Sequence, residues 1–204
     1  PLGHEYLYFG DYNLDGFKEI FILTTRGDSL LLSIIDPLHK REFVVKERLI
    51  YYNKTVTIKK GHPNCSFVGL LSSIEGKNIV FAASAGYSKQ PRSIFNYNIH
   101  KDELKISPLL GVALSKPFPD DLIGESVPEI LFSTMAVGNY NSSVPYTDQS
   151  AWLMALNQDL EFMFDPVEFP EYPSNLHVAS YRSNDSTYIV ALHEYYGADD
   201  IQSG

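Results

Sequence analysis

One short segment recurs along the chain, and it constrains the fold more than any other feature. "FKEIFIL", "GKNIVFAA", "VPEILFS" and "STYIVAL" superpose on Ile20, Ile79, Ile130 and Ile189, which lie 59, 51 and 59 residues apart. In the first three copies a second apolar segment follows: "SLLLSIID", "SIFNYNI" and "AWLMALN". Each segment is short, rich in Ile, Val, Phe, Tyr and Leu, and bounded by Gly, Pro, Asn, Asp or Ser, which is strand punctuation. Strands are expected at residues 19–24, 29–36, 43–52, 54–60, 66–73, 78–84, 93–99, 129–134, 151–157, 161–166, 176–182 and 187–193. Fourteen Tyr and twelve Phe add to the strand bias. Helix signals are scarce, so the expected class is all-β.

A unit of roughly 50–60 residues holding about four strands has the size of a β-propeller blade. A barrel or sandwich also has many short strands, but neither requires the same strand at a fixed interval. The expectation is therefore a β-propeller, or part of one, built of four-stranded blades. One region spans residues 1–204, with repeats near 5–60, 61–115 and 116–170 and an incomplete one at 171–204. Propellers close with about 4 to 8 blades. Together with the missing initiator Met, this leads to the expectation of a piece of a longer chain, with any export signal or membrane anchor outside it.

The net charge is −9, which argues against nucleic acid, because phosphate binding needs clustered Lys and Arg. Cys65 is the single cysteine, so neither an intramolecular disulfide nor a cysteine metal cluster can form. No apolar run reaches the ~18 residues of a membrane helix.

The first repeat opens with "FGDYNLDGFKEIFILT". Asp11, Asn13 and Asp15 alternate, Gly16 permits a tight turn, and Glu19 closes the set. Alternate oxygen-bearing side chains on a coiled loop can converge on a hard cation such as calcium, which takes about 6–8 oxygen ligands. The position where an EF-hand needs its bidentate Glu holds Ile22, inside an apolar strand, so this is not an EF-hand. The competing explanation is that Asp and Asn cap turns through their own backbone.

These residues resemble the FG-GAP/VCBS-type repeat of integrin α-chain propellers and many bacterial exported proteins. The resemblance implies a structural calcium ion held by Asp11, Asn13, Asp15, the Phe17 carbonyl and Glu19. Glu19 departs from the family's usual Asp. The third repeat keeps a degenerate version in Asp121, Glu125 and Glu129, a weaker candidate site. The second keeps only "EGKN", and the fourth is a plain polar turn, "SNDST".

Loops between the first two strands of each unit lengthen from "TTRGD" to "STMAVGNYNSSVPYTDQS". Binding residues concentrate on variable loops over rigid scaffolds. The third loop offers Asn139, Tyr140, Asn141, Tyr146, Asp148 and Gln149 as candidate ligand-binding residues. Tyrosine faces with amide and hydroxyl donors suit a glycan, small molecule or protein ligand. Trp152 is expected in the core. The Arg26-Gly27-Asp28 tripeptide is ordinary hairpin-tip chemistry.

No catalytic residues are assigned: the six His lack ligand spacing, and no G-x-S-x-G, P-loop or Rossmann pattern occurs. The resemblance points to a non-catalytic, extracellular or periplasmic recognition or sensor module. The alternatives are an exported carbohydrate-active enzyme, such as a polysaccharide lyase, and a surface adhesion scaffold.

Overall fold

The computed structural model describes residues 7–38, 44–52, 64–73, 76–84, 91–125, 127–138, 144–184 and 186–197. Among these the fold is all-β, with antiparallel strands and no helix. The chain divides into two compact units, Pro1–Ile106 and Ser107–Gly204. The expected strand at 54–60 lies outside the described residues.

The first unit holds two four-stranded meanders. One is β1 (Leu7–Gly10), β2 (Glu19–Arg26), β3 (Ser29–Ile35) and β4 (Val44–Tyr52), in that spatial order. The other is β5 (Asn64–Ser73), β6 (Gly76–Ser84), β7 (Arg92–Asn98) and β8 (Glu103–Ile106). Strand side chains alternate between faces, so directly paired residues share a face. Phe21, Leu23, Leu30, Leu32 and Ile34 line one face of the first sheet. They share a core with Ile79, Phe81, Ala83, Phe95 and Tyr97 of the second. Phe81 and Phe95 stack at 5.3 Å, and the Tyr8 hydroxyl accepts a hydrogen bond from the Leu70 amide at 3.2 Å. The two sheets meet on opposite register positions of the recurring strand. Ile20 faces away from this core, whereas its counterpart Ile79 faces into it.

The second unit contains β9 (Ala113–Leu114), β10 (Phe118–Asp120), β11 (Glu129–Ala136), β12 (Ala151–Leu156), β13 (Val167–Phe169), β14 (Ser174–Ser183) and β15 (Ser186–Tyr195). Residues Glu129–Ser133 of β11 pair with β10 and β12, and β12 pairs with β13, giving a third meander. Beyond Ser133, β11 changes neighbours and pairs with β9 and β14. Seven strands therefore join in one curled sheet. Thr134, wholly buried, marks the fork: its hydroxyl accepts the Trp152 amide at 2.8 Å where the main-chain ladder to β12 ends.

The core of this unit repeats the polarity of the first. Leu131, Leu153 and Ala155 of the meander meet Leu176, with Val178 and Ile189 packed against them. Ile130 sits at the alternate register position, whereas its counterpart Ile189 packs on this core.

Two sequence expectations need correction. Residues 161–166 form a turn with one bridge, Leu156 to Phe162, and the outer strand is β13 instead. The Asn157 side-chain oxygen accepts from the Asp159 and Glu161 amides at 2.9 Å each, and Leu160 takes φ +63°. This local asparagine turn competes successfully with extension. Trp152 is half-buried rather than core; its indole N–H bonds the Thr147 carbonyl at 2.9 Å.

Candidate metal centre

The β1–β2 connection wraps around its own acidic side chains. Gly10 pairs with Glu19, so the loop leaves and rejoins the sheet at adjacent points. Asp11 Oδ2 accepts the Gly16 amide at 3.0 Å, and Asn13 Oδ1 accepts the Asp15 amide at 3.0 Å. Asp15 Oδ1 accepts the Phe17 amide at 2.9 Å, and its Oδ2 takes the Asn13 amide group at 3.1 Å. Glu19, 1% exposed, receives the Tyr12 amide at 3.1 Å. Leu14 and Gly16 adopt φ of +62° and +89°, the left-handed turns that fold the loop back on itself.

Burial pushes the Glu19 carboxyl upward; the Tyr12 amide and its own oppose this, while Asp15 and Asp36 reinforce it. Burial also raises the Tyr12 phenol, with Glu19, Asp36 and Asp15 adding to the effect. Asp36, buried at the end of β3, thus belongs to the same field. Its part could not be read from the sequence, because it comes from strand pairing rather than loop spacing.

Whether a cation suits this loop is tested by Asp11 Oδ1. That oxygen is buried and has no hydrogen-bond partner. A buried carboxylate oxygen is costly without a partner, and calcium takes carboxylate oxygens. The loop's donor atoms are of the kind such an ion takes. Among the described residues no three acidic, histidine or cysteine side chains already converge on one point. The carboxylates instead satisfy loop amides.

The same arrangement reappears 110 residues on. Asp120 pairs with Glu129 as Gly10 pairs with Glu19. Glu129, 3% exposed, accepts the Leu122 amide at 2.7 Å, matching the Tyr12–Glu19 bond. Asp121 accepts the Gly124 amide at 2.6 Å, and Gly124 has φ +83°. Here, however, the Arg182 guanidinium lies 3.7 Å from Asp121 and supplies positive charge itself. Glu125 is exposed. In the second meander Ser73 and Gly76 are directly paired, and no counterpart of the acidic loop separates β5 from β6.

Of the six candidate ligand residues, Asn139, Tyr140 and Asn141 lie outside the described residues. Tyr146 packs edge-on against Trp152 and Phe162, at 5.2 and 5.4 Å. Asp148 is wholly buried, and its carbonyl accepts the Val137 and Gly138 amides at 2.9 and 2.8 Å. Gln149 is exposed. Arg26 of the Arg-Gly-Asp tip is engaged by Glu47 at 3.2 Å. The chain matches no known family, no curated protein and no solved structure.

Proposed function

We propose that the protein is a non-catalytic, extracytoplasmic recognition module of the FG-GAP type, its meanders the blades of a β-propeller. The observation that carries this reading is the recurrence of one loop architecture at the same strand register, Asp11–Glu19 and Asp121–Glu129. The shared stacking polarity within each unit supports it, because a propeller turns every blade the same way. In this reading Asp11, Asn13, Asp15, the Phe17 carbonyl and Glu19 hold a structural calcium ion. The ion supplies positive charge to the crowded carboxylates and fixes the connection that starts the first blade. Asp121, Glu125 and Glu129 form at most a weaker site, since Arg182 already serves Asp121.

Recognition falls to the long β11–β12 connection, which carries exposed Gln149 and half-buried Tyr146 packed on Trp152. A glycan, a small molecule or a peptide segment of a partner protein suits that chemistry.

Calcium sites on extracellular modules bind at about 0.1–1 mM. At about 10 mM calcium such a site adds roughly 1.4–2.7 kcal/mol to folding stability. Thermal melts with calcium and with chelator measure this directly. A rise in melting temperature with calcium that Asp15→Ala abolishes is the expected result. Identical curves in calcium and chelator would remove the metal from the reading. Screening an immobilised oligosaccharide panel with native protein and Gln149→Ala tests recognition; a panel that never distinguishes the two discards this loop as the binding surface.

A further inference from the structure

Among the described residues, the β14–β15 hairpin has one exposed face. Tyr181, Tyr188, Val190 and Leu192 are 61%, 55%, 59% and 67% exposed. They share a face, since Tyr181 pairs with Tyr188, Ala179 with Val190 and His177 with Leu192. The opposite face packs on the core through Leu176, Val178 and Ile189.

The internal repeat says what such a face is for. Counted from the recurring isoleucine, Val190 corresponds to Phe21, Val80 and Leu131, each 0% exposed. Leu192 corresponds to Leu23, Ala82 and Ser133, at 1%, 4% and 4%. In the first unit the Phe21 and Leu23 face packs on the Ile79 and Phe81 face of the next sheet. In the second unit the Leu131 face packs on the Ile189 face of the hairpin. The stacking therefore has a direction: the face one position after the marker receives the marker face of the following sheet.

The described residues contain a marker face with surface to spare. On the β1–β4 sheet, Phe9 lies opposite Ile20 and Leu49 opposite Leu31, and both are exposed, at 54% and 50%. Ile20 and Ile22 between them are half-buried. The exposed Arg26–Glu47 ion pair lies on the same face, and large exposed apolar side chains on a sheet face rimmed by polar groups mark an association surface.

We propose that two copies of this chain associate head to tail, the Tyr188, Val190 and Leu192 face of one receiving the Phe9, Ile20 and Leu49 face of its partner. The contact continues the packing already present inside each unit, and it is heterologous, joining two different patches. It does not depend on calcium or on the recognition loop.

Sedimentation velocity of the chain over a concentration series tests the proposal, with circular dichroism as a control for folding. Native protein should show a sedimentation coefficient that rises with concentration. Leu192→Glu and Phe9→Asp should each abolish self-association while keeping the strand spectrum. An equimolar mixture of the two should recover a heterodimer, because each variant keeps the face the other has lost. Val190→Lys serves in place of Leu192→Glu should the latter fail to fold. A native protein that stays monomeric, variants that still self-associate, or a mixture that stays monomeric would each overturn the proposal.

Discussion

Asp102 shows how one side chain ties distant strands together. It follows β7 with φ +59° and accepts the Tyr97 hydroxyl at 2.8 Å. Lys46 and Arg48 of β4 approach it at 3.4 and 3.6 Å, and Lys46 also lies over the Tyr97 ring. The Tyr97 hydroxyl, followed by these cations, holds the Asp102 carboxyl below its ordinary range. A carboxylate depressed in the folded state favours folding above its unfolded pKa, and that contribution fades as pH falls through the folded value. Tyr97→Phe should therefore flatten the acid side of the stability profile below about pH 4. Chemical denaturation at stepped pH checks this. An unaltered acid limb would show that the hydroxyl does not govern Asp102. Glu129 provides a second residue-scale test. It is buried and accepts the Leu122 amide, so Glu129→Ala strands a donor at a cost of about 1–3 kcal/mol. Glu129→Gln retains an acceptor and should lose much less; equal losses would assign the effect to packing instead.

At the scale of elements, the positions of the long strands were readable and partner choice was not. β2 alternates buried Phe21 and Leu23 with half-buried Ile20 and Ile22, although all four are apolar in sequence; packing on one face makes the difference. β7 departs from alternation: every residue from Arg92 to Asn98 is buried. It lies inside its sheet between β6 and β8 and has both faces covered, whereas β15 is a sheet edge with one face exposed. Amide exchange should therefore be slowest in β7 and far faster at alternate positions of β15, since protection follows burial and pairing. Exchange measured by mass spectrometry with peptide resolution checks the order, and comparable protection in the two strands would contradict it. The short strands β1, β8, β9 and β10 escaped the sequence pattern because two to four residues carry too little periodicity. The misplaced strand at 161–166 has a different origin, the Asn157 turn.

At the scale of the whole chain, the repeat accounts for the meanders and for the paired loops 110 residues apart, while the fork in β11 interrupts its regularity. The recurring strand is used in one orientation throughout each unit, and that consistency makes the uncovered hairpin face informative. Association through it would appear as concentration-dependent sedimentation, a property of the assembled chain rather than of any single strand.

The amino-acid sequence alone determined the all-β class, the positions of most long strands, the recurring isoleucine and the acidic turn at Asp11–Glu19. Those properties depend on side-chain type, turn chemistry and the recurrence of one segment along the chain, and none of them needs a tertiary contact. Tertiary structure decided which face of each strand is buried, where β11 changes neighbours and that Asp36 joins the field around Glu19. It also decided that Arg182 answers Asp121 and that Asp148 is withdrawn from the surface. These depend on contacts between residues far apart in the chain, and alternation labels two faces of a strand without saying which one meets the core.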